Sequence, residues 1–284
     1  MRKLVTLGVD FGASDKPMTE EEMEDAPLRV LHIPTVLDAV TVAYNVKGVG
    51  KGLKLTGENL VQIFLGEIKK WNDRRIAKNN AELFLPNQDI VVVHRTDGSG
   101  TTYILTEYLS KVGLAWKNSL GNGNTVQWPV GVGCKGNTGM VETLTRTPGG
   151  IGYVELAAAK AAKLACAAIQ NRTGNFIMPS TGTTTAAMEH ARIPSDYRMS
   201  IVNAPGPNAY PIASMTWILV YRTQKNEVKG RALAKFLWWA LHGGQGMAEE
   251  CGYAPLPTNV VAMVEKTLLQ IKCNDKPLLI RGKR

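Results

Sequence analysis

Three β-branched runs, VLHIPTVLDAVTVAYN (30–45), IVVVHR (90–95) and SMTWILVYR (214–222), stand between segments whose apolar residues recur at helical spacing. That alternation constrains the fold more than any other feature: it predicts an α/β chain and argues against all-α and all-β architectures. A proline divides the first run into two expected strands, IPTV and AVTVAYN. LTGENLVQIFLGEI (55–68) carries Leu60, Ile63 and Phe64 on one helical face. TTYILTEYLSKVG (101–113) reads as a helix stopped by Gly113. Shorter expected pieces are a strand at TVQWPV (125–130), a helix at MVETLTR (140–146), a strand at GIGYVEL (150–156) and an alanine-rich helix from residue 157. Two helical patterns close the chain, 231–252, interrupted at Gly243–Gly244, and 259–272.

With 284 residues the chain is long enough for about two domains with cores of their own. It holds no run of ~18 or more uncharged apolar residues, the length a membrane-spanning helix needs. At the start, LVTLGV before Asp10 is too short for the apolar part of a signal peptide. Cys134, Cys166, Cys251 and Cys273 form no C-x-x-C pair and no His lies at ligand spacing, which argues against a zinc site. Whether any of the four form disulfides is left open. The formal net charge is +9, and it is uneven: residues 1–45 carry 4 basic and 8 acidic groups, while residues 221–284 carry 11 and 5. A basic chain favours anionic partners, or simply has a solvated basic surface.

The segment IVVVHRTDGSGTTY (90–103) is the most informative. A strand ending at Arg95, a Gly/Ser turn and a helix opening near Thr101 would put unpaired backbone N–H groups at a helix N-terminus. Those groups and the helix dipole favour an anion. Arg95 adds a planar fork of donors suited to a tetrahedral oxyanion, and Ser99 and Thr101 add hydroxyls. The plain alternative is a loop in which Ser99 or Thr101 caps the helix. Asp97 would repel an anion unless the ligand carries a proton, because an ionised carboxylate only accepts. Phosphate has a P–OH near neutral pH and sulfate has none, so Asp97 in the site would select phosphate. Alternatively, Asp97 pairs with Arg95 or caps the helix.

VDFGASD (9–15), LGEIKKWN (65–72), HRTDGSGTT (94–102), WPVGVGCKGN (128–137) and PGGIGYVE (148–155) together resemble the substrate-binding protein of the phosphate ABC importer, the PstS family, in order and spacing. The resemblance implies a two-lobed type II periplasmic binding fold that clamps inorganic phosphate in its cleft and closes by hinge motion. It implies no cofactor or metal, no enzymatic activity, membrane permease subunits as partners, and a periplasmic or cell-surface location. It implies phosphate contacts from Arg95, Asp97, Ser99, Gly100 and Thr101, with Asp15 as a second acceptor. Members of the family begin with a signal sequence, a G-A-G-A-T-F-P loop, a helix and a Gly/Ser-rich loop ahead of the V-D-F-G-A-S-D strand, where this chain has Met1. The first lobe is therefore expected to be incomplete and phosphate binding weakened. The expected lobes are 1–45 with 211–284, and 46–210, with crossings near Tyr44–Asn45 and Tyr210–Pro211.

Three other readings compete. Gly131–Gly136 fits G-x-G-x-x-G, with Glu155 19 residues beyond, imitating a dinucleotide-binding unit; the intervening stretch is expected to offer barely two helical turns. His94 near Ser99 invites a hydrolase reading, but adjacent strand residues point to opposite faces and no G-x-S-x-G elbow occurs. Aromatics such as Phe236, Trp238 and Trp239 follow helical spacing, which argues against a nucleic-acid partner.

Overall fold

The computed structural model describes Leu4 and residues 8–279. Along the chain run β1 (Phe11–Ser14), α1 (Glu20–Glu24), β2 (Val30–Asn45), β3 (Lys54–Leu55), α2 (Gly57–Phe64), α3 (Arg74–Ala77) and β4 (Val91–Arg95). Next come α4 (Gly100–Val112), α5 (Leu114–Ser119), β5 (Val132–Cys134), α6 (Gly136–Arg146), β6 (Gly150–Glu155), α7 (Leu156–Ala161), β7 (Ala165–Cys166), β8 (Ala168–Gln170), β9 (Phe176–Ile177) and α8 (Thr181–Glu189). The last elements are β10 (Ala213–Tyr221), α9 (Glu227–Leu241), α10 (Gly243–Glu250), α11 (Thr258–Leu268), β11 (Lys272–Cys273) and β12 (Lys276–Pro277). The α/β class follows from this alternation. None of the described helices is long and apolar enough to cross a membrane.

The chain forms two compact units. Unit 1 comprises 1–37, 192–200 and 215–284; unit 2 comprises 38–191 and 201–214. The division expected from sequence placed 192–200 with the second lobe, whereas by compactness it joins unit 1. The expected crossings also lie inside unit 2: the Asn45 side chain donates to the Leu144 and Thr145 carbonyls, and the Tyr210 hydroxyl to the Val40 carbonyl. Both pairs are held by hydrogen bonds within that unit.

In unit 2, β2 pairs antiparallel with β6 (Val40↔Glu155), and β6 and β5 flank β4 in parallel (Val91↔Gly150, Arg95↔Cys134). Parallel strands joined by helices are covered on both faces, and β6 is buried at five of its six positions. The core on this sheet includes Val42, Phe64, Val93, Leu105, Trp116, Met140 and Tyr153. In α2, Thr56 caps the helix through a capping box with Asn59, and its apolar face is buried. In unit 1, β1 runs antiparallel to β10 (Phe11↔Val220). His32 is buried there and its Nε2 accepts the Met18 amide N–H at 3.0 Å.

Several local expectations change. β2 is one 16-residue strand that runs through Pro34. Proline's φ suits extended backbone, and only its missing donor limits it. Residues 125–130 are not a strand; β5 begins two residues later. Gly113 ends α4 at φ −141°, without a left-handed turn. It is required because a Cβ there would lie 2.6 Å from Val61 Cγ2. α6 has 11 residues, three turns, and not two.

Candidate functional site

The β4–α4 turn gathers the motif residues within unit 2. β4 is a run of valines ending in His94 and Arg95, whose side chains leave the strand on opposite faces. The His94 ring stacks on Trp128 at 5.2 Å, and burial lowers its pKa. Arg95 is 9% exposed. Its backbone N–H donates to the Tyr153 hydroxyl at 3.1 Å, and that hydroxyl shares a 2.7 Å bond with Thr102 Oγ1. Burial pushes the Tyr153 phenol up to about 12, so it stays protonated.

Ser99 is the N-cap of α4, its Oγ accepting the Thr102 N–H at 3.2 Å. Ser99's own N–H is taken by the Asn124 carbonyl. The next amides, of Gly100 and Thr101, belong to the first turn, where a helix supplies no carbonyl partner. Ser99 and Thr101 are each 5% exposed, and the Thr101 hydroxyl donates to Glu155 Oε1 at 3.4 Å. Capping and available donors, alternatives in the sequence, thus coexist: Ser99 caps, and the two amides that follow it have no carbonyl partner within the helix.

Arg95 and Asp97 form a two-pronged ion pair. Nε donates to Oδ1 at 2.7 Å and Nη2 to Oδ2 at 2.5 Å. The Gly136 N–H donates to the same Oδ1 at 3.1 Å. The guanidinium first of all holds the Asp97 carboxyl well below the usual carboxylate range; burial opposes it, and the Gly136 amide adds a smaller lowering effect. Nη1 of Arg95 donates to Asn137 Oδ1 at 2.9 Å. Three of the five guanidinium N–H bonds are therefore used, leaving one on each terminal nitrogen. Asp97 is an ionised acceptor that takes two donors on Oδ1 and one on Oδ2, which leaves Oδ2 a further acceptor site.

Asp15, the remaining candidate, belongs to unit 1, where the Thr216 hydroxyl donates to its Oδ1 at 2.7 Å. The glycine motif is not a strand-to-helix phosphate turn. Val132 to Cys134 form β5 itself, so Gly133 lies within a strand and Gly131 just before it, and a side chain at either would strike β4 or the turn after it. The Ser99 hydroxyl is committed to its cap and the His94 ring to Trp128, so the two do not form a nucleophile–base pair. Among the described residues there is no cluster of three or more His, Cys, Asp or Glu able to hold a metal. Sequence reasoning placed Gly136 in a glycine motif, and Gly136, Asn137 and Tyr153 in segments of the resemblance, but gave none of them a part at the Arg95–Asp97 pair. They meet Arg95 or Asp97 from 39 to 58 positions away in the chain, and only the pairing of β4 with β5 and β6 brings them in.

A profile of the PBP superfamily domain matches residues 1–242. The phosphate-binding protein PstS of Xylella fastidiosa is 41% identical over 260 residues, covering 90% of this chain and 71% of that protein. PstS of Pasteurella multocida is 39% identical over 278 residues, covering 96% and 80%, and PstS of Methanocaldococcus jannaschii is 38% identical, covering 93% and 74%. Among solved structures, a phosphate-binding protein from Stenotrophomonas maltophilia aligns with TM-score 0.66 at 20% identity, covering 91% of this chain and 79% of that one. An ABC-type phosphate transport receptor from Vibrio cholerae aligns with TM-score 0.58 at 16% identity, covering 90% and 83%. At those identities the structures establish the fold, that of the type II periplasmic binding proteins, while the sequence matches establish kinship. The chain belongs to the PBP superfamily and, within it, to the PstS family of phosphate-binding proteins.

Proposed function

We propose that the chain binds inorganic phosphate at the β4–α4 turn and acts as the substrate-binding component of a phosphate ABC importer, on the outer side of the membrane. It hands phosphate to permease subunits and turns nothing over. The observation that carries this reading is the pairing of two uncommitted Arg95 N–H groups with the α4 N-terminus, where the Gly100 and Thr101 amides lack helical partners. Two donors on a rigid plane match two oxygens of a tetrahedral anion, and the helix end supplies donors for others. The names of the relatives support phosphate as that anion.

Asp97 acts in this reading both as the brace of Arg95 and as an acceptor for the P–OH, because Arg95 and Gly136 use three of its carboxylate's roughly four acceptor sites and leave one on Oδ2. Calorimetric titration of the ligand-free chain with phosphate tests the function. Saturable 1:1 binding, with no release of phosphate from p-nitrophenyl phosphate, is the expected result. Absence of saturable phosphate binding overturns it.

A further inference from the structure

We propose that the segment from Gly131 to Asn137, β5 and the first turn of α6, is a positioning element for the anion site, and that Asn137 fixes which two N–H groups of Arg95 face the ligand. The proposal rests on reading the β4–α4 turn as the phosphate site. A bidentate carboxylate sets the guanidinium plane from one edge only, so the ion pair can still pivot about that edge. Asn137 Oδ1 takes a donor from Nη1, the one guanidinium nitrogen that Asp97 does not touch, at 2.9 Å. Residue 136, next to it, sends its amide to Asp97 Oδ1 at 3.1 Å. Adjacent residues of the first turn of α6 thus hold one member each of the Arg95–Asp97 pair.

The glycines explain how that turn reaches the pair. Gly131 has φ +109°, and a Cβ there would lie 2.3 Å from the Val92 carbonyl oxygen. At Gly133 a Cβ would lie 2.4 Å from Thr96 Cγ2. Both therefore allow β5 to lie close along β4, with Cys134 opposite Arg95 in register. Gly136, at φ +70°, turns the chain from β5 into α6 and aims its N–H at Asp97. The glycine spacing that imitates a dinucleotide motif is thus accounted for by strand approach and by the brace. Asn137 is a positioning residue: it acts on the ligand through Arg95.

The test uses the whole chain, with inorganic phosphate as the probe. Asn137→Ala should weaken phosphate about tenfold, the effect of one hydrogen bond to a charged group. In an Arg95→Lys background the same substitution should change affinity less than about twofold, because its target is gone. Nitrogen-15 arginine spectra of the ligand-free chain, assigned with Arg95→Lys, provide a second readout. Separate Nη1 and Nη2 proton signals of Arg95 in the wild type should merge in Asn137→Ala and separate again in Asn137→Asp, which restores an acceptor. Equal weakening by Asn137→Ala in both backgrounds overturns the proposal, as does unchanged affinity of the single variant. Arg95 signals indifferent to residue 137 also overturn it. If Arg95→Lys alone binds phosphate like wild type, the phosphate site itself falls, and the spectra then decide the positioning claim separately.

Discussion

Arg95 commits three N–H bonds to Asp97 and Asn137 and keeps two, and the consequences of changing it follow from that count. Arg95→Lys replaces a planar fork by a point charge that Asp97 can hold but cannot aim. It should weaken phosphate roughly thirtyfold, about 2 kcal/mol, by calorimetry. Asp97→Asn weakens the brace and removes the charged acceptor for the P–OH, so phosphate should weaken more than sulfate and the selectivity between them should narrow. A selectivity ratio unchanged by this substitution would confine Asp97 to bracing Arg95. His32 supplies a pH dependence within unit 1. Burial first, then Arg198, lowers its pKa from 6.5 to about 4, while Asp196 and Glu22 oppose the shift. The folded state thus favours the neutral ring, whose Nε2 accepts from Met18. Its contribution is complete above pH 6.5, falls as pH drops from 6.5 to about 4, and is gone below that. The slope should total roughly 3 kcal/mol. Urea titrations across pH 4 to 7 should show it in the wild type and lose it in His32→Gln. Arg95 and Ser99 were legible because strand, turn and helix start are local signals. Asn137 and Tyr153 were not, because nothing in their own segments encodes the partner they meet.

At the scale of elements, β5 depends on what its neighbours lack. Gly131→Ala would set a Cβ against the Val92 carbonyl in a backbone conformation that L-residues rarely adopt. It should cost about 3 kcal/mol or more. Because it moves β5 off β4, it should weaken phosphate as well as lower Tm, whereas Gly136→Ala, with no atom within 4 Å of the added Cβ, should show mainly the cost of its φ. Thermal melts with and without phosphate separate the two. Gly113→Ala tests a different contact, the approach of α4's end to Val61. The helices were readable from capping residues and apolar spacing, as at Thr56 and Ser99. Short strands such as β5 were not: three residues with an exposed or half-exposed pattern carry no period of their own, and register with β4 creates them.

At the scale of the whole molecule, the two units differ in what they bury. Unit 2 encloses β6 and the aromatic residues Phe64, Trp116 and Tyr153. Unit 1 includes β1, with alternate positions exposed, and α10, which buries none of its residues. Amide exchange should therefore be slowest in β4 and β6 and faster in β1 and α10. Equal protection in all four would contradict this ordering.

The sequence alone determined the α/β class, the family and the turn that carries Arg95, Asp97, Ser99, Gly100 and Thr101. Each of these rests on residues close together in the chain, where periodicity, capping chemistry and motif spacing act directly. Tertiary structure decided where the units divide, that β2 runs unbroken through Pro34, and that Asp97 pairs with Arg95 and the Gly136 amide. It also decided that a glycine motif with the spacing of a dinucleotide site lies along β4 and ends as a brace. Those outcomes depend on which distant strands pair and in what register, a choice made by the burial of whole faces and recorded in no single segment.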